Sequence, residues 1–271
     1  MRTTNDRPQP NGARLLLGLF GLGLVLIALF GPAVEQPSHY HAFADQRALL
    51  GIPHAMDVLS NLPFLLLGLY GLARLPRISE HRWRTLGLSL SLGLLLTFLG
   101  SSAYHLAPVD TGLIYDRLGM LVLFSAILGM ATADRLGFRA AGMALTAVLL
   151  GGATSLWAWW VHDNLLPWIV LQAGGMFLLV LLACCQPLRG NHGFKLGACV
   201  AWYALAKLFE LGDASLFHLS GELLSGHSVK HLLASLAVLP LLLPLALARS
   251  GATALAATGR HRRSTALPAD V

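Results

Sequence analysis

Apolar residues run through this chain in long stretches, each closed by a short polar cluster. A helix needs about 20 such residues to cross the hydrocarbon of a bilayer. Eight stretches approach that length: Arg14–Val34, Asp57–Leu75, Leu86–Tyr104, Leu113–Ala133, Phe138–Trp159, Leu165–Cys185, Phe194–Phe217 and Ser228–Ala248. The links between them are short and leave no room for a soluble domain. The pattern predicts an all-α, polytopic transmembrane helix bundle without internal repeats.

The first stretch follows Arg2, Arg7 and Arg14, as the core of a signal peptide would. It is longer than the usual core of about 7–15 residues, and Gly31-Pro32-Ala33-Val34-Glu35 has no small-x-small cleavage site. A retained helix is expected. The chain then divides into a tail over 1–13, an additional N-terminal helix over 14–34, a helical membrane domain over 35–250 and a tail over 251–271. The Ala-, Thr- and Arg-rich composition of the last tail predicts disorder, as it does for the first ten residues.

Composition agrees with a membrane setting. Hydrophobic residues make up 55% and charged residues 12% of the chain, about half the charge of a soluble domain. A net charge of +6 would suggest nucleic acid in a soluble protein. With the N-terminus inside, all of the 19 Lys and Arg except Arg47, Arg117, Lys207 and Lys230 fall on the cytoplasmic side. The charge therefore reads as a positive-inside signature, with the bilayer rather than nucleic acid as partner and both termini cytoplasmic. Cys184, Cys185 and Cys199 lie at or in apolar segments, where they read as small packing residues and not a disulfide framework.

That topology sorts the polar residues by depth. Ser101, Ser102 and His105 come at the outer end of the third stretch, and Asp116 at the outer start of the fourth. Asp213 ends the seventh outside, His227 and His231 begin the eighth there, and Asp57, Ser60 and Asn61 begin the second. Only Lys207 and Glu210 fall elsewhere among the strongly polar intramembrane groups.

A spacing of four puts His227 and His231 on one face of a helix, the way a helix offers two nitrogens to one metal ion. Ser101 and His105 repeat the spacing. The short link Leu106–Gly112 folds the third and fourth stretches into a hairpin that brings Asp116 back beside them. A catalytic zinc takes three protein ligands and keeps a position for water, whose pKa it lowers to about 7. His105, His227 and His231 fit the ligand role. Asp116 fits a general base and acid, and Ser101 an oxyanion donor. Two histidines with Asp116 would suit iron(II), a weaker fit because three histidines are available.

Gly-Ser-Ser-Ala-Tyr-His (100–105), Tyr-Asp-Arg-Leu-Gly-Met (115–120) and Ser-Gly-His-Ser-Val-Lys-His (225–231) resemble the alkaline ceramidase family. That family belongs to a superfamily of seven-helix membrane hydrolases and adiponectin/progestin-type receptors. Ser101, His105, Asp116, His227 and His231 keep its spacing, and Asp57-Val58-Leu59-Ser60-Asn61 resembles the motif opening its first helix. The resemblance spans residues 40–248. It implies a seven-helix ceramidase-like core, here with one extra N-terminal helix, and zinc-dependent hydrolysis of a ceramide-like amide to a sphingoid base and a fatty acid. The long-chain lipid amide would be the substrate.

The chain departs from the family in three places. The first helix is extra, and Gly119 stands where Pro is usual. The stretch Tyr40–Asp57 offers only Asp45 and Asp57 for the family's acidic calcium site, with His54 where an acid is expected. That tells against calcium regulation.

Two other readings remain open from the sequence. One is a lipid- or ligand-binding receptor of the superfamily with a structural zinc. The other is an ion pathway through Lys207, Glu210 and Asp213, for which no polar continuation to the cytoplasmic side is visible. Lys207 and Glu210 read as an ion pair, and Asp213 as a group orienting a histidine N–H. Trp157, Trp159, Trp160 and Trp168 read as an interfacial belt.

Overall fold

In the computed structural model the backbone is described for residues 11–247 and side chains from residue 18. The tails expected to be disordered, 1–10 and 251–271, lie outside the described residues. The chain is all-α: α1 (Asn11–Phe30), α2 (Ala55–Leu59), α3 (Leu62–Arg74) running into a 3₁₀ turn (Leu75–Arg77), α4 (His81–Leu106), α5 (Asp110–Leu136), α6 (Phe138–His162), α7 (Leu166–Ala183), α8 (Leu196–Leu211), α9 (Asp213–Leu219), α10 (Gly226–Leu236) and α11 (Leu239–Leu247). Among the described residues there is no strand beyond one isolated bridge, Leu49 with Ile52.

Six helical segments are long and apolar enough to cross a membrane: Ala55–Arg77, His81–Leu106, Asp110–Leu136, Phe138–His162, Leu166–Ala183 and Gly226–Leu247. Large apolar side chains point outward along them, Leu66, Leu99, Met143 and Leu150 among them, as in an integral membrane protein whose outer face meets lipid. The stretch expected over Phe194–Phe217 breaks at Gly212 into α8 and α9. At 16 residues, α8 is shorter than the ~20 needed to span a bilayer. The apolar part of α1 covered by described side chains is Gly18–Phe30.

The tightest pairing is α4 with α5, joined by three residues, Ala107–Val109. A Cβ on Gly100 would lie 2.2 Å from the Tyr115 carbonyl oxygen, and one on Gly119 would lie 2.6 Å from the Leu96 backbone. The hairpin therefore closes backbone on backbone through small residues, as helices do in membranes. The same contact accounts for Gly119: no larger residue fits against α4 at that position.

The core gathers Leu90, Leu94, Leu128, Met130, Leu241 and Leu245 between α4, α5 and α11. Helix α1 lies against α7, with Phe20 and Phe177 at 5.3 Å between ring centroids. Near the α7–α8 link a buried ion pair, Asp134–Arg135, organises the chain. Asp134 accepts from the amides of Gly193 (3.0 Å) and Phe194 (3.1 Å), while Arg135 donates to the carbonyls of Leu182 (3.2 Å) and Phe194 (2.9 Å).

Candidate metal centre

The C-terminal end of α4 and the N-terminal ends of α2, α5 and α10 meet at one end of the bundle. The loop 31–54 lies over that meeting point. Its Val34 carbonyl accepts from Leu165 N (2.7 Å), and its His41 reaches Tyr104 Oη (2.8 Å) and Asp110 (3.0 Å).

Helix α10 is fixed at its first turn. Ser225 caps it by accepting from Ser228 N at 2.9 Å. Asp213 accepts from His227 N at 2.8 Å and, with its other oxygen, from Ala44 N at 3.0 Å. Asp57, fully buried, accepts from the Ser228 hydroxyl at 2.7 Å and the Ser225 hydroxyl at 3.3 Å. Two carboxylates thus stand at the positive end of the helix dipole. Asp213 therefore positions its histidine through the backbone amide, where the sequence suggested an imidazole N–H.

Held this way, His227 and His231 face His105 across the bundle. The three rings are buried, and their ligand atoms all lie within 4.8 Å of one another. His105 Nε2 and His227 Nε2 are 3.2 Å apart. Tetrahedral zinc with bonds of about 2.0–2.1 Å sets its ligand nitrogens about 3.4 Å apart. The cluster is close enough to hold a metal ion and compatible with zinc.

The Ser60 hydroxyl lies 3.0 Å from the Asp57 carbonyl and 2.8 Å from Nδ1 of His231. The tautomer that suits a metal has the hydrogen on Nδ1 and the serine proton donated to the carbonyl, which leaves the Nε2 lone pair free. The ring is oriented by a group outside the three histidines.

Lys230 Nζ lies 3.0 Å from His227 Nε2 and 3.1 Å from Glu210 Oε1. A metal must displace the first contact, and Glu210 offers the ammonium an acceptor when it does. Glu210 also pairs with Lys207, as the spacing of three suggested.

Through His231 the donor set adjoins a cavity of ≈ 180 Å³. Ser101, Asp116, Lys230 and His231 line one part of it, and Phe124, Ile127, Leu179 and Val238 an apolar part. Ser101 is buried and Asp116 half-buried in its wall. Asp116 does not pair with its neighbour Arg117.

Three features escaped the sequence reading. Ser60 reads in the sequence as a polar residue at that end of the bundle and as part of the Asp57–Asn61 motif, without a role of its own. Phe43 covers the triad, 4.8 Å from the His105 ring and 4.4 Å from the His227 ring between centroids, and a lone Phe in a loop carries no sequence signal. The tryptophans divide: Trp157 and Trp160 are exposed, as an interfacial belt requires, but Trp159 and Trp168 are buried around Arg117. In the loop, the Asp45 carboxylate is taken up by Arg47 at 2.6 and 2.8 Å.

No family model, curated protein or solved structure matches the chain.

Proposed function

We propose that the chain is a zinc-dependent membrane amidase of alkaline ceramidase type, a seven-helix core with an additional N-terminal helix. It cleaves the amide of a ceramide-like lipid to a sphingoid base and a fatty acid. The observation that carries the reading is the convergence of His105, His227 and His231 within 4.8 Å, with His231 in the wall of a cavity that Ser101 and Asp116 also line.

His105, His227 and His231 would hold the zinc, which would supply Lewis-acid activation of water near neutral pH. Asp116 takes a proton from the attacking water and returns it to the departing amine. The Ser101 hydroxyl donates to the carbonyl oxygen as negative charge gathers there. The acyl chain lies along Phe124, Ile127, Leu179 and Val238. The histidine end faces outward and both termini lie in the cytoplasm, in keeping with the arginine distribution.

The test uses purified full-length protein with ceramide and shorter acyl amides, with and without chelator. Hydrolysis depends on one zinc per chain, and His231→Ala abolishes both zinc and turnover. Asp116→Asn retains zinc but slows turnover by about 10²–10⁴, the worth of a general base. Full activity without stoichiometric zinc overturns the mechanism. Zinc binding without hydrolysis of any amide favours the receptor reading; the presence of Asp116 and Ser101 favours the enzyme, since a binder has no use for a base beside the metal.

A further inference from the structure

Arg117 is only 3% exposed, yet it makes no ion pair among the described residues. Its guanidinium lies 4.1 Å from the Trp159 ring centroid, 5.5 Å from Tyr40 and 5.9 Å from Trp168. One amine, Nη2, donates to the neutral side-chain oxygen of Gln36 at 3.1 Å. The other, Nη1, is buried and meets no acceptor.

A guanidinium cannot shed its charge by deprotonating, so burial leaves a full cation in place. Aromatic faces offset part of that cost but supply no acceptor in the plane of the fork. A buried charge normally has a partner of opposite sign.

Arg117 lines the same cavity as His231 of the histidine cluster. The charged residues in that wall are Arg117, Lys207 and Lys230 against Asp116 and Glu210. Glu210 serves both lysines. With Asp116 used as a base, Arg117 is the cation in that wall without a carboxylate in contact among the described residues, and its planar fork suits a two-oxygen anion.

We propose that Arg117 binds an anionic group on the amine side of the substrate. The lipid is then a ceramide-like amide whose amine portion carries a carboxylate or phosphate, with that group at Arg117, the amide at the histidines and the acyl chain in the apolar part of the cavity. This rests on the hydrolase reading above, and the closing experiment separates the two.

Zinc-loaded full-length protein is given three amides of equal acyl length: N-dodecanoylglycine, N-dodecanoylethanolamine phosphate and neutral N-dodecanoylethanolamine. In the wild type, kcat/KM for at least one anionic amide exceeds that for the neutral one tenfold or more. Arg117→Gln collapses that ratio, mainly through KM, and the better of the two anionic amides identifies the group. A wild-type ratio near one overturns the proposal, and so does an Arg117→Gln protein that lowers all three rates but keeps the ratio. If Arg117→Gln does not fold, the wild-type ratio alone decides.

If no amide is cleaved, the hydrolase reading has failed and binding decides the anion site. Dodecyl phosphate then binds the wild type at least tenfold more tightly than dodecanol does, with the preference lost in Arg117→Gln. Equal binding of the two amphiphiles overturns the site.

Discussion

Ser60 Oγ and His231 Nδ1 lie 2.8 Å apart across 171 positions of sequence. The contact ties the break between α2 and α3 to the histidine side of α10, and the same hydroxyl reaches the Asp57 carbonyl at 3.0 Å. Removing the hydroxyl releases the ring and its tautomer. Ser60→Ala is expected to weaken zinc binding by about 10–100-fold, the usual effect of losing a ligand's supporting partner. Competition with a chelator at fixed pH measures it, and unchanged affinity would show that the ring is held by packing alone.

Phe43 closes the triad from the loop side, against His105 and His227. Phe43→Ala opens that face to water without touching a ligand nitrogen. The expected outcome is faster stripping of the metal by chelator, with the three histidines still able to rebind it. Stopped-flow metal release reads this directly. A release rate equal to wild type would remove Phe43 from any part in guarding the site.

The Asp134–Arg135 pair is buried near the α7–α8 link. Each member carries hydrogen bonds to backbone groups of the 182–194 region. Asp134→Ala strands a buried guanidinium and two amides, a loss of about 3–5 kcal/mol. Thermal melting in detergent is expected to show a large drop, while zinc content measured on the folded fraction stays at the wild-type value. Loss of zinc in that fraction would mean that this region and the histidine cluster are mechanically linked.

Acid stability offers a check on the loop over the site. The Arg47 guanidinium, bonded to both oxygens of Asp45, holds that carboxyl below its ordinary range. A carboxyl whose pKa is lower in the folded than in the unfolded chain stabilises the fold above its unfolded pKa, about 4, and loses that contribution as pH falls through its folded value. The melting difference between wild type and Arg47→Met is therefore full above about pH 4 and shrinks below it. A difference that stays constant through that window would assign the effect to packing of the arginine stem on Phe217.

Much of the site was legible beforehand. His227 and His231 at a spacing of four, Ser101 and His105 at the same spacing, and the short link expected over Leu106–Gly112 are local facts, and a helix converts the spacings into shared faces. Asp213 was recognised as a supporting group, although its contact is with an amide. Ser60, Phe43 and Arg117 were not assigned their places. Each acts through a partner far along the chain, and no periodicity reports such a pairing.

The sequence by itself determined that the chain is helical and apolar enough for a membrane, and which end of each helix carries the polar groups, because length, composition and order along the chain suffice for that. Only the tertiary structure decided how each helix is turned about its own axis. In a bilayer the outward face is as apolar as the core, so hydrophobic patterning leaves that rotation open. Backbone contact at Gly100 and Gly119 and the carboxylates at the start of α10 set it. That rotation brings His105 to the other two histidines and leaves Arg117 buried without an anion.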